Sequence, residues 1–222
     1  MVPVRVYLPP CYGEIPDSYP ALYVFHGYPY DESHWASLGA EGIADGHISA
    51  GSWPPFVIIM PRLPQPLFSR TDGGPGSYEQ EFVEGLLPFI EDSFSILAEP
   101  QDRGIAGISR GGVWALEIGL RHPELFSYVA ALSPALSMNA ARPEYDPLQI
   151  AAQDPLSQEH ILLLAGQDDW AKEGTQALAE TLATQGNAPL LLLPPGVHAD
   201  PLWESTMEDV LRFFAGAWLA AD

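Results

Sequence analysis

The chain has 222 residues, 47% of them hydrophobic, which is enough to build a sizeable core and sets one domain spanning 1–222 as the expectation. Its 29 Asp and Glu against 9 Lys and Arg give a net charge of −20, a surface that repels phosphate backbones and anionic bilayers, so neither a nucleic-acid nor a membrane partner is expected. The lone cysteine, Cys11, excludes an internal disulfide framework, and no run approaches the roughly 18 apolar residues of a membrane span.

In chain order, apolar runs with strand character alternate with segments of helical spacing. Val2 to Leu8 reads as a strand; the N-terminus lacks the basic region, apolar core and small-residue site of a leader peptide. A cytoplasmic location is the expectation, with a mature secreted form as the alternative. Ala21 to His26 is a second strand, followed by a helix over Trp35 to Ile48 and a strand over Phe56 to Met60. After a Pro- and Gly-rich connection, Pro61 to Ser77, a helix is predicted over Tyr78 to Phe94, then a strand over Gly104 to Ile108 and a helix over Gly111 to Arg121. Phe126 to Leu132 is a strand leading into a second long connection, Pro134 to Pro155. The chain closes with strand Ile161 to Ala165, helix Trp170 to Thr184, strand Leu190 to Leu193 and helix Leu202 to Leu219. Continuous apolar strands alternating with helices define the α/β class, a mostly parallel sheet covered on both faces whose functional groups gather at the carboxyl ends of the strands.

The stretch Gly107-Ile108-Ser109-Arg110-Gly111-Gly112 lies at such an end. Roughly one chain in ten of this composition would match Gly-x-Ser-x-Gly by chance, so its placement between a strand and a helix carries the reading. A serine on a strand-to-helix turn is held in a strained backbone region, and neighbouring glycines avoid collisions with the strand and helix. The turn lifts the hydroxyl of Ser109 clear of the sheet and aims the Arg110 amide and the helix dipole at a developing oxyanion.

A serine nucleophile needs a base and an acid that orients the base. Of the six histidines, His198 stands in a loop after the last strand and downstream of the serine, where a base belongs. His26 reads as a structural residue of the His26-Gly27-Tyr28 loop, and His34, His47, His122 and His160 have ordinary packing or solvent roles. Asp168 and Asp169 follow the penultimate strand in Ala165-Gly166-Gln167-Asp168-Asp169-Trp170; the spacing from the glycine points to Asp169, with Asp168 as the alternative. No His-x-His or His-x₃-His spacing occurs, so neither a metal nor a cofactor is expected.

The order Ser109, Asp169, His198, together with Tyr23-Val24-Phe25-His26-Gly27, Arg121-His122-Pro123-Glu124-Leu125-Phe126 and Gly196-Val197-His198 with Trp203 nearby, resembles the "Putative esterase" group of the α/β-hydrolase superfamily, which includes esterase D-like, enterochelin-esterase-like and feruloyl-esterase-like enzymes and the mycolyltransferases. The resemblance runs from Tyr7-Leu8-Pro9-Pro10 to the end of the chain. It implies an α/β-hydrolase fold, with N-terminal strands reduced relative to its members. It also implies an oxyanion hole formed by the backbone amides of Arg110 and of Tyr28, which follows the His-Gly pair.

The expected function is serine carboxylic-ester hydrolysis through an acyl-enzyme on small or aromatic acyl esters, with a small-molecule ester as partner. Acyl transfer to an alcohol or sugar by the same residues is one alternative; a binding protein on a hydrolase scaffold is another. Tyr30, Trp35, Leu136, Met138 and Trp170 are the expected pocket-lining residues, and an exposed first strand would serve self-association into a homo-oligomer.

Overall fold

Seven strands form a single sheet in the order β1-β3-β2-β4-β5-β6-β7 in the computed structural model, which describes residues 3–14, 17–64, 73–153 and 160–220. The strands are β1 (Val4–Tyr7), β2 (Ala21–Phe25), β3 (Val57–Pro61), β4 (Arg103–Ile108), β5 (Tyr128–Leu132), β6 (His160–Leu164) and β7 (Leu190–Leu192). Only β1 runs antiparallel, pairing Val4 with Pro61 and Tyr7 with Ile58; all other neighbours are parallel. The strands predicted from apolar runs therefore form the sheet, with β1 at one edge and β7 at the other.

Side-chain alternation along the strands divides the core in two. Tyr23 and Phe25 of β2, Ile59 of β3 and Ile105 of β4 face one side, where Phe82, Val113 and Leu178 cover them. Leu22, Val24, Ile58 and Ile108 face the other, packed against Trp35, Met207 and Phe214. Because both faces are covered, the central strands bury every residue, and each large apolar side chain so enclosed contributes about 1.5–3 kcal/mol.

Helices α1 (His34–Ser37) and α2 (Ala40–Ser49) replace the single helix expected over Trp35 to Ile48. The break falls at Gly39, whose φ of 89° is left-handed and closes the first helix. The helix predicted over Tyr78 to Phe94 is present as α3 (Tyr78–Gln80), a π-helical segment Glu81–Leu86 and α4 (Leu87–Ser93), so its periodicity changes midway. Next come α5 (Arg110–Arg121), α6 (Pro147–Ala151), α7 (Lys172–Thr184) and α8 (Asp200–Leu219).

The long connection Pro134 to Pro155 holds α6 and 3₁₀ turns at Leu136–Met138 and Pro143–Tyr145. The Asp146 side chain starts α6 by accepting from the Leu148 amide at 2.9 Å, an N-cap too local to register as hydrophobic periodicity. Parts of both long connections, 65–72 and 154–159, lie outside the described residues. Among the described residues, no helix is long and apolar enough to cross a membrane.

The strand order reverses direction between β2 and β4: the chain leaves β2 for β3 on one side, then returns across it to β4 and proceeds outward. A crevice opens above the carboxyl ends at such a reversal. The loop after β2 and the turn after β4 meet there.

Candidate active site

Ser109 links β4 to α5 with φ 54° and ψ −112°, a conformation that a side chain adopts only under constraint. The surrounding backbone supplies that constraint. The Ser109 amide donates to the Leu132 carbonyl at 2.8 Å, and its carbonyl accepts from Ala135 at 3.1 Å and Val113 at 3.2 Å. A Cβ on Gly107 would run into the Gly111 carbonyl, and one on Gly111 would strike the backbone of Phe25 and His26. Close approach of backbones, with no left-handed φ at either position, explains both glycines of the motif.

The Ser109 hydroxyl donates to His198 Nε2 at 2.9 Å, and His198 Nδ1–H donates to Asp169 Oδ1 at 2.9 Å. Asp169 Oδ1 also accepts from the Ala171 amide at 2.8 Å. Burial pushes the Asp169 carboxyl up, but its interactions with His198, Ser133 and the Ala171 amide outweigh that, so the group sits below its ordinary pKa and stays ionised. Asp168 is exposed, and His198 is paired with Asp169.

The loops that carry His198 and Asp169 are bonded to each other. Asp168 donates its amide to the Gly196 carbonyl at 3.0 Å and Gln167 to Pro194 at 2.8 Å. A Cβ on Gly166 would collide with the Gly196 carbonyl, so this contact requires a glycine. His198 is flanked by Trp170, whose ring lies 4.2 Å away, and meets the edge of Trp203 at 5.2 Å.

The Gly27–Tyr28 backbone passes alongside Ser109: a Cβ on Gly27 would stand 3.4 Å from Ser109 Cβ. His26 anchors this loop. Its Nδ1–H donates to the Gly27 carbonyl at 2.9 Å, and its Nε2 accepts from the Leu63 amide at 2.9 Å, which fixes a neutral tautomer. Burial lowers its pKa accordingly. Arg110, whose amide opens α5, directs its buried side chain to the Ala135 carbonyl at 3.5 Å and Asn139 at 3.2 Å. Burial lowers its guanidinium to about 10, opposed by the charge of Glu117.

The expected pocket residues divide. Tyr28, Tyr30, Met138 and Trp170 are exposed, at 53%, 37%, 58% and 47%. Trp35 and Leu136 are not brought to the surface. Trp35 is 1% exposed and its indole donates to the Phe25 carbonyl at 3.0 Å, because the short α1 turns it into the sheet face; Leu136 is buried in the opposite layer beside Gly174.

Sequence reasoning did not single out Ser133 or Asp200. Ser133 follows β5 with φ 48° and accepts from the Trp203 indole at 3.0 Å, and it helps hold the Asp169 carboxyl below its ordinary pKa. Its only sequence signal is a serine at the carboxyl end of a strand. Asp200 accepts from the buried His34 at 3.2 Å, a partnership between positions 166 residues apart.

The sheet order, the covered faces and a serine–histidine–aspartate line above the strand ends define an α/β-hydrolase. The chain belongs to the "Putative esterase" family, whose model matches residues 1–216. It is 30% identical over 227 residues to an endo-1,4-beta-xylanase/feruloyl esterase of Xylanibacter ruminicola, covering 96% of this chain and 29% of that protein. An esterase of Mycobacterium tuberculosis is 33% identical over 141 residues, covering 61% of this chain and 29% of its own length. The chain thus spans about three-tenths of the length of these two relatives. Among solved structures, a ferulic acid esterase superposes with a TM-score of 0.85 at 22% identity, over 97% of this chain and 92% of that one. The S-formylglutathione hydrolase of Staphylococcus aureus superposes with 0.78 at 18% identity, over 96% and 92%. At these identities the superpositions establish the shared fold.

Proposed function

We propose that the protein is a serine carboxylic-ester hydrolase in which Ser109 is the nucleophile, His198 the general base and acid, and Asp169 the residue that orients the imidazole. The observation that carries this reading is the unbroken pair of 2.9 Å contacts from Ser109 Oγ through His198 to Asp169. His198 Nε2 takes the hydroxyl proton as Ser109 Oγ bonds to the ester carbonyl carbon, and the carbonyl electron pair moves onto oxygen. The amides of Arg110 and Tyr28 are the donors for that oxyanion, one at the positive end of α5 and one on the strand-end loop beside Ser109. Collapse breaks the bond to the leaving alcohol, which receives its proton from His198. Water, deprotonated by the same imidazole, then attacks the acyl-enzyme and releases the acid.

The exposed aromatic side chains of Tyr28, Tyr30 and Trp170 support esters of small or aromatic acids, since flat apolar groups gain most from such surfaces. Membership of the esterase family and the feruloyl esterase activity named for the Xylanibacter relative point the same way. Intact-mass labelling with a fluorophosphonate tests the nucleophile. One adduct is expected on the wild type and none on Ser109→Ala, with esterase turnover reduced by about a thousandfold or more in the variant. An adduct that persists in Ser109→Ala, or none on the folded wild type, would refute the assignment.

A further inference from the structure

Beside the Ser109–His198–Asp169 line stands a second histidine–aspartate pair. His34, 1% exposed, donates Nε2–H to Asp200 Oδ1 at 3.2 Å, and its Nδ1 accepts from the Gly27 amide at 3.5 Å. Tyr30 stacks flat on the ring at 3.7 Å with 2° between planes. Trp203 meets the ring edge-on at 5.8 Å and stands edge-on to His198 at 5.2 Å. Asp200 opens α8 two positions after His198 in the sequence.

One imidazole therefore joins the Gly27–Tyr28 backbone, which passes alongside Ser109, to the loop that carries His198. Both of its nitrogens are used, one as donor and one as acceptor, which requires the neutral ring. Burial holds the pKa of His34 below its ordinary value against the pull of Asp200 and keeps it neutral. A residue needed only to fill space would be apolar here, because burying two ring nitrogens is costly unless both are bonded.

We propose that His34 is a positioning residue of the hydrolytic reaction, holding the Gly27–Tyr28 amides and, through Asp200, the His198 loop at the spacing that the reacting carbonyl requires. The inference rests on the reading of Ser109 as nucleophile. Its physical basis is that an oxyanion donor works only when aimed in advance, and misplacement by about 1 Å costs on the order of a hundredfold in rate.

Steady-state hydrolysis of p-nitrophenyl acetate by the full chain tests it. His34→Leu is expected to lower kcat by about 10- to 100-fold with KM held within about twofold, because ground-state binding does not depend on the oxyanion donors. His34→Asn, whose Oδ1 takes the place of Nδ1 and accepts from the Gly27 amide but which has no atom at the Nε2 position to reach Asp200, is expected to restore part of the loss. Wild-type kcat in His34→Leu, equal losses in the two variants, or a change confined to KM would each overturn the proposal. Should His34→Leu fail to give a cooperative thermal transition, Asp200→Ala decides: a fall in kcat at constant KM supports the role, and wild-type kcat overturns it. Ser109→Ala is measured in parallel; turnover surviving there strikes the nucleophile itself, a failure distinct from that of His34.

Discussion

At the level of single residues, chemistry is assigned by which polar atoms are brought within 3 Å of each other. Asp168 and Asp169 are adjacent and chemically identical, yet one is exposed and the other is buried against His198. Asp169→Asn is expected to lower kcat by about 10²- to 10⁴-fold, because a neutral amide neither fixes the tautomer nor balances the imidazolium. Asp168→Asn should leave kcat within about twofold, since an exposed carboxylate contributes little to the field at His198. Paired steady-state kinetics on the two variants distinguish them, and a larger loss in Asp168→Asn would reverse the assignment. The placement of Ser109 and His198 at strand ends was legible in the sequence because each has local context, a turn motif and a post-strand loop. His34 was not, since its partners Gly27 and Asp200 lie on different loops and no spacing rule joins them.

At the level of elements, the strand–turn–helix of β4 and α5 depends on backbone contact. Gly107→Ala places a methyl group against the Gly111 carbonyl, so the helix must move away from the strand. Overpacking against backbone, with no side chain to rotate aside, is expected to cost about 3 kcal/mol in urea unfolding and to reduce turnover by displacing Ser109. A variant of wild-type stability would show that α5 has room to shift. The central strands were readable because buried parallel strands are continuous apolar runs; helix boundaries were less so. The split at Gly39 and the π-helical segment Glu81–Leu86 are decided by single residues and hydrogen-bond register, to which hydrophobic periodicity is insensitive.

For the whole molecule the dominant quantity is the charge of −20. Self-repulsion among carboxylates destabilises the compact state, and salt screens it over a length of about 10 Å at 0.1 M. Salt also weakens surface pairs such as Arg5–Glu41, at 2.6 Å, and Arg62–Asp31, at 3.1 Å. Such pairs are each worth only about 0–1 kcal/mol, so the repulsive term governs. Raising NaCl from about 0.02 to 0.3 M at pH 7 should therefore raise Tm by about 2–4 °C, corresponding to roughly 1 kcal/mol. A fall in Tm over that range in a scanning melt would mean that the ion pairs outweigh the repulsion.

The sequence by itself determined the α/β class, the strands in order, the strand-to-helix turn at Ser109 and the family, because each is written in contiguous residues: runs, turns and short motifs. Only the tertiary structure decided which aspartate faces His198, that Trp35 and Leu136 belong to the core rather than the surface, and that His34 joins two loops. Those outcomes depend on the direction in which a side chain leaves its element and on what lies opposite. That is settled when the sheet sets β2, β4, β5, β6 and β7 side by side, and no local pattern along the chain encodes it.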